Sequence, residues 1–264
     1  FYWDLHALID IHTGRFAAAI DHGRRALALV PAAAMPFGAA YVNLGLAVAL
    51  FATGEQAAAQ HHLRAVRGIG VGMASRRIEY WCCAIEAGIA FENGDATAGR
   101  ESLVRTLALS REMDGAPMFW WPRSRVAWLY AQALEHGIET QHVRDLIRRL
   151  ELAPPDSAAA PESWPFPIKI HTLGRFTVLI DDNPLTFSGK TQKKPLELLK
   201  GLIAFGGREV REGKLTRALW PLAEDAPQAL ATTVHRLRKL IGEHAIERSD
   251  GCLTLNPSYC WVDV

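Results

Sequence analysis

The side chains best placed to do chemistry lie between Gln228 and Ile241. At 100° per residue, Gln228, Thr232, His235, Arg236 and Lys239 gather on one side of a helix, opposite a stripe of Leu230, Val234, Leu237 and Ile241. The stripe would seat the helix on a core. The opposite side offers amide, hydroxyl, imidazole and cationic groups, the types that meet base edges and phosphates in a major groove. Thr232 and Arg236, four apart, would reach one groove together and read bases. Lys239, Arg238 on the flank, and Arg248 beside Asp250-Gly251 would position the phosphate backbone. Lys190, Lys193 and Lys194 would either hold phosphate or form a solvated charge run.

Other chemistry-bearing motifs fall short of what their chemistry needs. Ser188-Gly189-Lys190-Thr191 ends like a phosphate-binding loop, but Pro184 stands where that loop requires glycine. Gly68-Ile69-Gly70-Val71-Gly72 has the start of a dinucleotide loop, yet Met73 occupies the third glycine position, and the stretch reads as a flexible turn between helices. His6, His12, His22 and His61-His62 are not joined by acids or cysteines at ligand spacing, so no metal site is expected. Cys82-Cys83, Cys252 and Cys260 lack paired zinc spacing and read as reduced structural thiols. With no nucleophile set beside a base and an orienting acid, neither an enzyme nor a cofactor is expected.

The elements that must carry these residues divide the chain in two. Up to Ser163 the strong bases are 15 arginines against 17 acids, a balance of −2. Beyond it, seven lysines and seven arginines face eleven acids, a balance of +3 that the overall +1 conceals. Any nucleic-acid surface is therefore local and belongs to the second part. Between them, residues 153–167 hold five prolines in 15 residues, which fix φ, donate no hydrogen bond and make a semi-extended linker. The expected division is a helical domain over 1–152, this linker, and a second domain over 168–264.

The first part repeats. Turn glycines fall at 14, 54, 94 and 137, spaced by 40, 40 and 43, each preceded by an apolar helical stretch and followed by an amphipathic one. Each unit is a helical hairpin that cannot bury its faces alone, and such units stack into a superhelix with a concave surface. Gly14 through Ala26-Leu27-Ala28-Leu29-Val30-Pro31 resembles the tetratricopeptide repeat, which implies an all-α superhelix over about 1–150. Aromatics concentrate here, at Phe1-Tyr2-Trp3, Tyr80-Trp81, Phe119-Trp120-Trp121, Trp128 and Tyr130, either as packing core or as a groove for a peptide or small ligand.

From Ile168 the period changes to alternation. Ile168 to Thr172 and Phe176 to Ile180 read as strands before a turn at Asp182-Asn183-Pro184. Helices follow over 194–205, 212–220 and 228–241, and strands over 245–249 and 252–256 flank Asp250-Gly251, which supplies positive φ for a tight hairpin. A last strand returns over 259–264.

Leu196-Glu197-Leu198-Leu199-Lys200, Leu219-Trp220-Pro221, Val234-His235-Arg236-Leu237-Arg238-Lys239-Leu240-Ile241 and Trp261-Val262-Asp263 occur in the order of a known family. The segment resembles the DNA-binding domain of response-regulator type winged helices, most of all the Streptomyces antibiotic regulatory protein type of bacterial transcriptional activator. That resemblance implies an α+β winged helix-turn-helix over 168–264. It also assigns a phosphate contact to position 233, where the family has histidine and this chain has Thr233. The family's helical activator domain follows its winged helix, whereas here the repeats lie upstream.

The expectation is a bacterial transcriptional regulator. Its repeats would take a protein or small-molecule partner, with homo-oligomerisation open, and its C-terminal domain would bind double-stranded DNA. A protein-interaction scaffold is the alternative. The longest apolar run, Gly38 to Ala52, is 15 residues and contains Asn43, so no membrane partner is expected and the reading is a cytoplasmic protein. The chain opens at Phe1 and reads as an excised piece.

Overall fold

The computed structural model describes residues 2–33, 35–115, 118–155, 162–185 and 193–263. The chain forms two compact units, Phe1–Pro155 and Asp156–Val264. The first is helical, and the second carries a small sheet region.

The first unit contains α1 (Tyr2–His12), α2 (Phe16–Ala33), α3 (Pro36–Ala52), α4 (Gln56–Gly72), α5 (Arg76–Glu92), α6 (Ala96–Glu112), α7 (Arg123–Glu135) and α8 (Thr140–Arg149). Each odd helix packs on the even one that follows, and α1, α3 and α5 pack on one another in turn. Gly14, Gly54, Gly94 and Gly137 all have positive φ, between 67° and 84°. At each, the glycine and the residue after it donate back to the helix just ended, as in Gly54 N–H to Phe51 O (3.0 Å) and Glu55 N–H to Leu50 O (2.9 Å). The odd helices α3 and α5 are apolar on most sides and buried accordingly, while the even ones bury one stripe.

Gly68 to Gly72, expected as a turn, is instead the last part of α4. Gly70 is buried, and a Cβ there would lie 2.7 Å from Ile78 Cγ2. Gly70 permits close packing of α4 on α5, and this contact offsets the weak helix propensity of the glycine-rich stretch. The turn comes after them, with Ala74 at φ 49°.

The second unit contains β1 (Ile168–His171), β2 (Thr177–Ile180), β3 (Asn183–Pro184), α9 (Lys193–Ala204), β4 (Val210–Arg211), α10 (Glu212–Leu219), α11 (Ala226–Ile241), a 3-10 turn (Glu243–Ala245), β5 (Ile246–Ser249), β6 (Cys252–Leu255) and β7 (Cys260–Val262). One sheet has the order β3-β2-β1-β7, with β7 parallel to β1, and the other the order β4-β6-β5. The three helices pack mutually, and Leu198, Leu202, Leu215, Leu230, Val234 and Leu237 join Ile170, Val178 and Leu253 of the sheets in one core. Asn183-Pro184, read as a turn, pairs with β2, and the short β4 escaped the alternation because it is two residues long.

The proline-rich stretch expected as a linker contains residues 156–161, which lie outside the described residues. Its C-terminal end is packed, since Trp164 and Phe166 are each 2% exposed and Pro167 O accepts from Asp181 N–H at 2.9 Å.

Candidate nucleic-acid interface

Helix α11 begins where Asp225 accepts from Gln228 N–H through its side chain (3.4 Å) and Pro227 occupies the first turn. Leu230, Val234, Leu237 and Ile241 are buried in the core of the second unit. The exposed side carries Gln228, Thr232, His235, Arg236 and Lys239, which lie within an arc of about 100°. Among the described residues, no hydrogen bond or ion pair engages the side chains of Thr232, His235, Arg236 or Lys239. These residues therefore offer their full donor and acceptor capacity to an incoming ligand.

Three expected contact residues are placed otherwise. Thr233 is buried, and its Oγ1 donates to Ala229 O at 2.7 Å, so its hydroxyl is spent inside the helix. Arg238 turns back from the exposed side and donates from Nε and Nη2 to Ile246 O at 3.1 and 2.8 Å, fastening α11 to β5. Arg248 lies in β5, short of the hairpin tip, and its fork is closed on Glu212, the first residue of α10, at 2.5 and 2.9 Å. Glu212 holds the hairpin twice, because its N–H also donates to Gly251 O at 2.9 Å. Glu212 and Arg248 are 36 positions apart, and nothing in the spacing announces the pair.

The other cations of this unit are variously engaged. Lys194 pairs with Glu197 at 2.8 Å, Lys214 lies 4.1 Å from the Phe205 ring centre and Lys200 4.6 Å from that of Phe176. Lys190, with the whole Ser188 to Thr191 motif, falls outside the described residues.

In the first unit, two of the histidines are half-buried and engaged. His22 Nδ1 lies 2.8 Å from Asp10 Oδ2, and His62 Nδ1 lies 2.7 Å from Asn43 Oδ1. Burial, then His61 and Arg24, hold His62 below the usual imidazole range. No group of three or more His, Cys, Asp or Glu able to hold a metal occurs among the described residues. Burial pushes the Cys82 and Cys260 thiols up to about 12, which leaves them poor nucleophiles. No helix among the described residues is long and apolar enough to cross a membrane.

No family model matches the chain, and no curated protein and no solved structure matches it.

Proposed function

We propose that the chain is a transcriptional regulator of bacterial type. In this reading the second unit is a winged helix-turn-helix that binds duplex DNA, and the first is a tetratricopeptide-like superhelix that receives a partner or small-molecule signal. The observation that carries it is the outward side of α11, where Gln228, Thr232, His235, Arg236 and Lys239 stand exposed above a fully seated apolar stripe. The order α9, α10, α11 followed by the β5–β6 hairpin supports the same reading, with α11 in the major groove and the hairpin beside it. Arg236 and Thr232 read bases; Lys239 positions the backbone. The test is a salt titration of the full chain on labelled duplex DNA. Phosphate neutralisation gives a linear fall of log affinity with log salt, with a slope of about −0.9 per contact.

A second reading, a scaffold whose C-terminal unit binds protein, is favoured by the Glu212–Arg248 and Arg238–Ile246 contacts, which engage two guanidinium groups within the unit. Absence of duplex binding at low salt, with the chain folded, selects it.

A further inference from the structure

We propose that the first unit pairs with a second copy of this chain through the outward side of α1, like face on like face. This rests on the first unit alone and stands whether or not the second binds DNA.

Stacked helical hairpins bury one another's faces, and each end of the stack needs a polar outer side to stand in water. The two ends of this unit differ in that respect. On α8, the last helix, the exposed residues are Gln141, Asp145, Arg148 and Arg149, all polar. On α1, the first helix, they are Tyr2, Leu5, Ile9 and His12, spaced by three, four and three. These four lie within an arc of about 80°, opposite Ala7 and Ile11, which seat α1 on its neighbours α2 and α3.

The stripe carries no carboxylate. Asp4 is half-buried to one side of it, and Asp10 is buried, closed by Arg15 Nε and His22 Nδ1 at 2.8 Å each. Two copies therefore bring no acidic charges together along it. Tyr2 also borders, with Leu29 and Met35, a cleft of about 320 Å³ beside α1. These three residues continue the patch begun by Leu5 and Ile9, and all five are between 43% and 65% exposed. The rim is polar and already paired, since Arg25 lies 4.9 Å from the Trp3 ring centre and holds Asp21 at 2.8 Å.

Size and symmetry select the occupant. With roughly 100 Å² open on each of the five side chains, a copy offers on the order of 500 Å² of apolar surface. A pair then removes about 1,000 Å² from water at its apolar centre alone, the size at which specific association begins. Head-to-tail stacking would set Leu5 and Ile9 against the charged side of α8. Like face on like face matches apolar to apolar and closes at two copies, as an isologous dimer does.

The experiment is sedimentation velocity of the full chain over about 0.5 to 100 µM, a range that brackets micromolar association. A monomer–dimer equilibrium is expected. Leu5→Glu and Ile9→Glu, each entering the interface twice, should weaken it by about tenfold or more. Val104→Glu, the same kind of exchange at an exposed site on α6, should leave it unchanged. Circular dichroism establishes that each variant is folded. Leu5→Glu and Leu5→Lys chains mixed in equal amounts should associate more tightly than either alone, because an isologous face then sets opposite charges together. A chain that stays monomeric throughout overturns the proposal and leaves the stripe to a different helical partner. A dimer that Leu5→Glu and Ile9→Glu leave intact, growth beyond two copies, or a mixture no tighter than its parts overturns it as well.

Discussion

Replacing glycine by alanine should have opposite effects at two helical positions of the first unit, and the sign at each follows from what the new methyl group would meet. In a helix interior the exchange gains about 1 kcal/mol, because alanine loses less backbone entropy on folding. Gly68, exposed on α4, has no heavy atom within 4 Å of its added Cβ, so Gly68→Ala should realise that gain. At Gly88 the methyl would sit 2.5 Å from Trp121 Cη2 and 2.9 Å from Cζ2, and Trp121 is a rigid ring buried in the unit. Overpacking of this kind costs roughly 1–3 kcal/mol, and a ring that cannot swing aside puts it near the upper end. Setting this against the propensity gain leaves Gly88→Ala about 2 kcal/mol less stable than the parent. For a unit of this size, about 2–4 °C per kcal/mol applies. Thermal unfolding followed by near-ultraviolet circular dichroism should then rise by about 2–4 °C for Gly68→Ala and fall by about 4–8 °C for Gly88→Ala. Gly88→Ala in a Trp121→Leu background should regain most of its loss. Stabilisation by Gly88→Ala in the parent chain, or an undiminished loss in that background, would refute the placement of Trp121 on α5.

Glu212→Gln should release Arg248 to a phosphate and steepen the salt dependence of DNA binding by about one unit, whereas Glu247→Gln removes the same charge without releasing an arginine and should leave the slope alone. Fluorescence anisotropy over a salt series reads both. Arg236→Ala should cost roughly 1–3 kcal/mol on a preferred site and relax preference at one base; an equal loss on random DNA would take the residue out of the reading role. Asp263→Asn should destabilise the second unit by roughly 1–3 kcal/mol at neutral pH, since its carboxylate accepts from Thr172 N–H and Oγ1, each at 2.6 Å, and from Leu173 N–H at 3.1 Å. Burial raises the Asp263 carboxyl, but these donors together with His171 outweigh it and hold the group below 3.8. A lowered carboxylate contributes stability that is present above the unfolded value and lost as pH falls through the folded one, so the gap between variant and parent in urea unfolding should close below about pH 4. A gap unchanged down to pH 2 would discount the charge.

What the sequence determined by itself is local. Gly14, Gly54, Gly94 and Gly137 mark turns because a left-handed residue ending a helix needs only its own backbone, and Asp250-Gly251 turns the β5–β6 hairpin for the same reason, with φ 49° and 71°. The stripe and the exposed side of α11 follow from its period of 3.6, and the same wheel places Thr233 beside Leu230 and Leu237, on the side where it is buried. The tertiary structure decided whatever depends on groups distant in the chain. Glycine at 68 to 72 is a helix because Ile78 packs on Gly70, and the Gly45 and Gly88 gaps have their purpose only once Trp120 and Trp121 arrive from the next connection. Arg238 and Arg248 look alike in sequence as free cations, but one meets a carbonyl eight positions away and the other a carboxylate 36 away. His12 meets Phe119 O although 107 positions part them, because the α6–α7 connection returns across α1. Pattern along a chain records the faces of elements; which groups are left without partners is settled only when those faces meet.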